Sequence, residues 1–108
     1  MLVIAAAGHA ATAMIGEILG GHLRRIGCRG IVCDGAVRDV AELASWDDFS
    51  VFSRHVTPRG PAGASKGVVN GSVTVGGLRI SPGDIVMGDD DGLAALSPAL
   101  ARSAIAAA

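Results

Sequence analysis

Two short apolar runs, each closed by a glycine, set the terms for folding in this 108-residue chain. Residues 2–7 are Leu-Val-Ile-Ala-Ala-Ala and end at Gly8; residues 30–34 end at Gly35. An apolar run of that length bounded by a turn residue predicts a strand buried on both faces, as in a parallel sheet. Between the runs, Ile18, Leu19, Leu23 and Ile26 recur at helical spacing, with Gly16-Glu17 at the first turn. Arg24 and Arg25 stand where they complement the helix dipole, and Gly27 is a stop. A second helical stretch covers residues 40–46. Strand, helix, strand, helix predicts a parallel pair joined by a crossover, and ligands of such sheets gather beyond the carboxyl ends of the strands.

From Val51 the texture changes. Residues 51–53, 68–75, 78–80, 85–88 and 93–96 read as short antiparallel strands separated by glycine and proline. Gly76-Gly77 is a hairpin signal, and Pro82-Gly83-Asp84 and Asp91-Gly92 are further turns. Residues 57–67 form the longest stretch without a pattern. Ser97-Pro98 reads as an N-cap with proline at the first helical position, opening a short C-terminal helix. The expectation is one α/β domain over residues 1–108, a short parallel βαβ unit followed by antiparallel strands.

Composition excludes several functions. Trp46, Phe49 and Phe52 are the only aromatic residues, so the core is built from small aliphatic side chains. Nine basic against ten acidic residues leave a net charge of -1, which with so few aromatics supplies neither a phosphate-tracking surface nor a base-stacking platform. No nucleic acid partner is expected. No apolar run approaches the roughly 18 residues of a bilayer span, and Met1 to Ile4 lacks the basic start of a secretory signal. A cytoplasmic protein with no membrane partner is the expectation. Cys28 and Cys33 flank or occupy a short strand, where an extended chain holds them too far apart for a disulfide; both are expected as reduced thiols.

Two places carry chemistry and should be neighbours in space. Gly16-Glu17-Ile18-Leu19 lies at a helix start, where free backbone N–H groups and the dipole bind a carboxylate or phosphate. Arg38-Asp39 lies just past the second strand; an arginine fork holds an oxygen in a fixed plane, and a carboxylate holds a hard divalent cation. Each has a plainer reading. Asp39-x-x-Glu42 fits a capping box, with Arg38 at the surface, and Glu17 in a first turn is favourable through the dipole alone. His9, His22 and His55 are scattered and read as surface or loop residues. Asp89-Asp90-Asp91-Gly92 lacks the alternation of an EF-hand and reads as a solvated turn, and residues 60–66 lack P-loop spacing.

The ordered set of motifs resembles the RraA-like family. It comprises Gly16 to Leu19, Gly30 to Asp39, Pro82-Gly83-Asp84-Ile85-Val86 and Asp89 to Gly92. The family includes the regulator of ribonuclease E activity and the class II 4-hydroxy-4-methyl-2-oxoglutarate and 4-carboxy-4-hydroxy-2-oxoadipate aldolases. Its signature is an acidic residue, twenty intervening residues, then Arg-Asp, here Glu17 and Arg38-Asp39. The similarity runs from Leu2 to about Leu96.

The resemblance implies a swivelling β/β/α domain, shortened at both ends relative to the family, assembled as a homotrimer or hexamer with sites at subunit boundaries. It implies that Asp39 holds magnesium or manganese, partly through water, and that the Glu17 side chain positions metal-bound water. Arg38 would contact the carbonyl oxygen of a small 2-oxo acid, and the backbone amides of Gly16, Glu17, Ile18 and Leu19 its carboxylate. The implied activity is a divalent-metal-dependent aldolase or oxaloacetate decarboxylase working through a pyruvate enolate. The same resemblance leaves two alternatives, a non-catalytic regulator that binds a ribonuclease and an inactive oligomeric member.

Overall fold

The computed structural model describes residues 1–61, 63 and 65–108, in two compact units, 1–66 and 67–108. The first unit is a parallel sheet with strand order β1-β2-β3, in which β1 is Leu2–Ile15, β2 is Gly30–Val37 and β3 is Ser50–Val56. Helix α1 (Glu17–Arg25) connects β1 to β2, and α2 (Val40–Ala44) connects β2 to β3. Residues 51–53 therefore belong to a third parallel strand and not to the antiparallel region. A helical crossover returns the chain to the starting end of the sheet, so the next strand pairs in the same sense.

Every residue of β2 is buried because β2 is the central strand. β1 differs from the expectation of burial on both faces: Leu2, Ala5 and Ala7 are exposed, and burial is confined to its far end at Ala13 and Ile15. It is an edge strand, covered on one side only. It is also longer than residues 2–7. Ala7 (φ 49°) and Gly8 (φ 75°) both take left-handed backbone, and the pairing jumps from Ile4 opposite Cys33 to His9 opposite Gly35. The chain bulges at this jump and shifts register twice more, between His9 and Ala13 and between Ala13 and Ile15. Gly35 makes room for the bulge, since a Cβ there would lie 2.8 Å from the Ala6 Cβ and 3.2 Å from the His9 carbonyl oxygen.

Ile15, Ile31, Cys33, Val37 and Phe49 form the buried cluster of this unit, with Leu23 and Trp46 packed against it. Trp46 meets Phe49 edge to face at 5.8 Å, and Arg24 lies over the Trp46 ring while its Nε pairs with Asp48 at 2.6 Å. α1 forms where the apolar spacing places it, yet Ile18 (80% exposed) and Ile26 (67%) point outward. Gly20 is its buried residue, and a Cβ there would touch the Leu43 side chain at 3.2 Å. The helix packs closely through a glycine, which a search for apolar residues overlooks.

The second unit is antiparallel, as expected. β4 (Val73–Val75) pairs with β5 (Leu78–Ile80) across Gly76-Gly77, both at positive φ as a two-residue hairpin turn requires. β4 is shorter than residues 68–75; Val68 and Val69 are each 85% exposed, cut off from the strand by Asn70 (φ 60°) and Gly71. β6 (Ile85–Asp89) pairs with β7 (Gly92–Leu96), and Asp89 Oδ1 closes their turn by accepting the Asp91 N–H at 2.9 Å. α3 (Pro98–Ala107) opens as predicted, Ser97 Oγ accepting the Leu100 N–H at 3.2 Å. The patternless stretch 57–67 includes residues 62 and 64, which lie outside the described residues; the others take no strand or helix. No helix of the described residues is long and apolar enough to cross a bilayer.

Candidate active site

The carboxyl ends of β1 and β2 lie side by side, so the residues that follow them meet. Arg38, one residue beyond β2, donates its N–H to the Ile15 carbonyl at the end of β1, 2.9 Å away. Gly16 follows Ile15 and is the N-cap of α1, with extended backbone and no side chain to close the helix. Asp39 closes it instead: its Oδ2 accepts the Glu17 N–H at 2.9 Å. A Cβ at Gly16 would collide with Asp39 Oδ2 and stand 2.8 Å from the Arg38 side chain. Only glycine fits between them.

This geometry overturns the capping-box reading of Asp39 and Glu42. Asp39 precedes α2 with left-handed backbone (φ 57°, ψ 40°), and its side chain caps no N–H of that helix. A capping residue normally has extended backbone, which brings its oxygen over its own first turn. Here the carboxylate serves the neighbouring helix, and Glu42 accepts the Trp46 Nε1–H at 3.2 Å.

With the Glu17 N–H engaged, Ile18 and Leu19 supply the remaining first-turn donors, neither of which has an acceptor one turn back. They border a cleft of about 220 Å³ with Gly16, Arg38, Met14 and Pro61. The segment after β3 backs the arginine: Thr57 donates its N–H to Val37 O at 3.0 Å, Ala13 its N–H to Arg59 O at 2.8 Å, and a Cβ on Gly60 would lie 2.8 Å from Arg38 Nη1. Arg38 Nε stands 3.8 Å from Asp39 Oδ2, with both side chains 38% exposed, so the pair neutralises only loosely and leaves the guanidinium fork available.

Of the residues singled out by sequence, Gly16, Ile18, Leu19 and Arg38 thus line one cleft, and Asp39 joins it through the Glu17 backbone. The Glu17 side chain is exposed and makes no hydrogen bond among the described residues. Two amide donors, a helix dipole and a guanidinium suit a small organic anion. The carboxylate of Asp39, with Glu17 in the adjoining turn, suits a magnesium-type cation that keeps most of its waters and takes one or two carboxylates. No group of three or more His, Cys, Asp or Glu fit to hold a metal occurs among the described residues, so a closed zinc-type set does not fit.

Several residues of the sheet carry signals that no motif displays. His9 Nε2 and Thr12 Oγ1 are 2.9 Å apart and line a larger cleft next to the first. Residues three apart meet in this way on a helix, not in a regular strand; a register shift of β1 between His9 and Ala13 brings them together. Asp34, the buried charged residue of β2, is paired by Arg54 Nε of β3 at 3.3 Å. Burial pushes the Cys33 thiol above its ordinary range, so it is protonated and unreactive at neutral pH.

A family model described as RraA-like, aldolase/RraA, matches residues 1–94. A protein of Halalkalibacterium halodurans bearing the provisional name 4-hydroxy-4-methyl-2-oxoglutarate aldolase is 33% identical over 93 residues, which is 86% of this chain and 44% of that protein. The solved structure of the RNA-processing inhibitor RraA from Thermus thermophilis is similar at 31% identity and a TM-score of 0.79, over 88% of this chain and 58% of that one. Streptomyces coelicolor RraAS2, described as an unusual member of the RNase ES inhibitor RraA family, superposes with a TM-score of 0.87 at 28% identity, over 98% of this chain and 55% of that one. The chain therefore spans about half the length of these relatives.

Proposed function

The chain belongs to the RraA-like family, and from that premise we propose that it is a lyase that forms pyruvate from a 4-hydroxy-2-oxo acid or from oxaloacetate with a divalent cation. The observation that carries the reading is the convergence of the α1 N-terminus and Arg38 on one small cleft beside Asp39. The substrate carboxylate sits on the Ile18 and Leu19 N–H groups, and the Arg38 fork meets the 2-oxo oxygen. When the C3–C4 bond breaks, its electron pair stays with C3 and delocalises onto that oxygen. Arg38 faces the charge that develops there, an electrostatic role in which positive charge already in place lowers the barrier. The C4 hydroxyl proton is lost as the second fragment becomes a carbonyl compound, and protonation of C3 completes pyruvate. For oxaloacetate the departing fragment is carbon dioxide.

Asp39 would hold magnesium or manganese, with Glu17 reaching it through water. The cation supplies Lewis acidity toward the 2-oxo oxygen. Asp39 has a second duty, closing α1, so the same carboxylate orients the amide donors and provides the negative charge for the cation. The test is to incubate the protein with oxaloacetate and magnesium and to measure pyruvate with and without chelator. Chelator-sensitive pyruvate formation is expected; absent or chelator-insensitive turnover overturns the reading.

The likeness to the Thermus RNA-processing inhibitor supports a second reading, a regulator that binds a ribonuclease without catalysis. Co-elution with an RNase E-type enzyme, in a protein that makes no pyruvate, favours it over the first. Assembly into homotrimers or hexamers is part of both readings and is tested by sedimentation.

A further inference from the structure

The cleft at the α1 N-terminus is not isolated. A larger one, of about 580 Å³, adjoins it and shares Met14 and Pro61 as a common wall. Its other side is lined by Ala5, Ala6, His9 and Thr12 of β1 and by Ser65. Three features of this cleft point to a ligand.

The first is the backbone that builds it. Ala7 and Gly8 are consecutive residues at positive φ, immediately before His9, and the strand register breaks across them. A non-glycine residue in that region costs on the order of 1 kcal/mol, and bulges of this kind commonly re-aim a side chain next to a site. A second register shift, between His9 and Ala13, carries Thr12 to the side of His9, where a regular strand would place the two on opposite faces.

The second feature is the hydrogen bond between them. His9 Nε2 and Thr12 Oγ1 are 2.9 Å apart. A neutral imidazole and a hydroxyl own two polar hydrogens, and their mutual bond uses one. If the ring donates, the Thr12 O–H is left; if Thr12 donates, the Nδ1–H is left. Either tautomer leaves one donor for an oxygen of a ligand.

The third feature is the lining. His9, Thr12 and Ser65 are hydrogen-bonding groups, Ala5, Ala6 and Met14 are apolar, and no carboxylate is among the described lining residues. Such a surface accepts a carboxylate or carbonyl attached to a short alkyl segment.

We propose that this second cleft holds the departing half of a 4-hydroxy-2-oxo acid whose pyruvyl half occupies the first, and that His9, braced by Thr12, binds its distal oxygens. The inference rests on the reading of the first cleft as a pyruvyl site. On this arrangement the small cleft suffices for pyruvate, whereas a five-carbon dicarboxylate spans both.

The test uses the wild-type protein with magnesium, labelled with ¹⁵N and titrated separately with pyruvate and with 2-oxoglutarate, an uncleavable analogue of the longer skeleton. Pyruvate is expected to shift the Ile18 and Leu19 amides alone; 2-oxoglutarate is expected to shift those amides and the His9 ring nitrogens. If 2-oxoglutarate moves the amides and leaves His9 unmoved, the second cleft is not its site and the inference falls while the first reading stands. If neither compound moves the amides, the first reading falls and this one with it. In His9→Ala the dissociation constant is expected to rise about tenfold more for 2-oxoglutarate than for pyruvate, the loss of one hydrogen bond to a charged group. An equal change for both ligands overturns the proposal.

Discussion

Asp39 Oδ2 accepts the backbone N–H of Glu17 at 2.9 Å, so a carboxylate after the second strand closes a helix that starts 22 residues earlier. Helix N-termini are ordinarily closed by the residue before them, and Gly16 has no side chain with which to do so. The division of labour leaves the cleft open where a capping side chain on residue 16 would fill it.

Substitution of Asp39 separates the cap it forms on α1 from the cation-holding role proposed for it. Asp39→Ala removes the acceptor for Glu17 N–H and is expected to cost about 1 kcal/mol of stability, together with pyruvate formation. Asp39→Asn keeps an oxygen acceptor for that N–H but loses the charge for a cation. Its melting temperature is expected to stay closer to wild type than that of Asp39→Ala, while turnover falls as far. Paired thermal melts and pyruvate assays decide this.

Arg38→Ala is expected to lower kcat/KM for oxaloacetate by about two orders of magnitude, the usual worth of a donor facing developing charge. Arg38→Lys keeps the charge but not the planar fork, and is expected to recover only part of the loss. A surface arginine with no role would leave the rate unchanged in both variants. Steady-state kinetics at fixed magnesium is the measurement.

The Asp34 carboxylate is buried and paired with Arg54, whose own side chain is about half exposed. Arg54→Ala is expected to destabilise the fold by about 1–2 kcal/mol, less than the full cost of orphaning a buried charge, because water reaches the site Arg54 leaves. Adding Asp34→Asn removes the unpaired charge and is expected to restore part of the stability. Urea denaturation of the single and double variants reads the coupling.

Cys33 gives a pH dependence of known sign. Burial raises its thiol above the ordinary range, so the folded chain holds the proton more tightly than the unfolded one. Its contribution is unaffected while both states are protonated. As pH rises through the ordinary thiol range, the unfolded state ionises first, and stability falls until the folded thiol ionises as well. The urea midpoint is expected to drop between pH 7.5 and pH 9.5 more in wild type than in Cys33→Ala.

Much of the fold was legible in order along the chain. Glycine-bounded apolar runs located β1 and β2, Gly76-Gly77 located a hairpin, and Ser97-Pro98 located the start of α3, because turn and cap chemistry acts between neighbours in sequence. The same signals failed wherever a partner had to be known. Val51 to Ser53 read as antiparallel and are parallel, since strand direction depends on the connection and on what lies alongside. Ile18 and Ile26 marked a helix without marking its inward face, which Gly20 and Leu23 carry.

The candidate site divides in the same way. Sequence by itself determined that an acidic residue and an Arg-Asp pair follow two successive strands, and parallel pairing then sets their ends side by side. Tertiary structure alone decided what each group contacts there. Asp39 fitted a cap for its own helix by local spacing, and it became the cap of another because a left-handed backbone and a side-chain-free Gly16 put the Glu17 N–H within its reach. Likewise, His9 and Thr12 meet only because β1 shifts register between His9, paired with Gly35, and Ala13, paired with Ala36. Local rules govern bonds between near neighbours; contacts across 22 residues exist only once the sheet has brought the ends of its strands together.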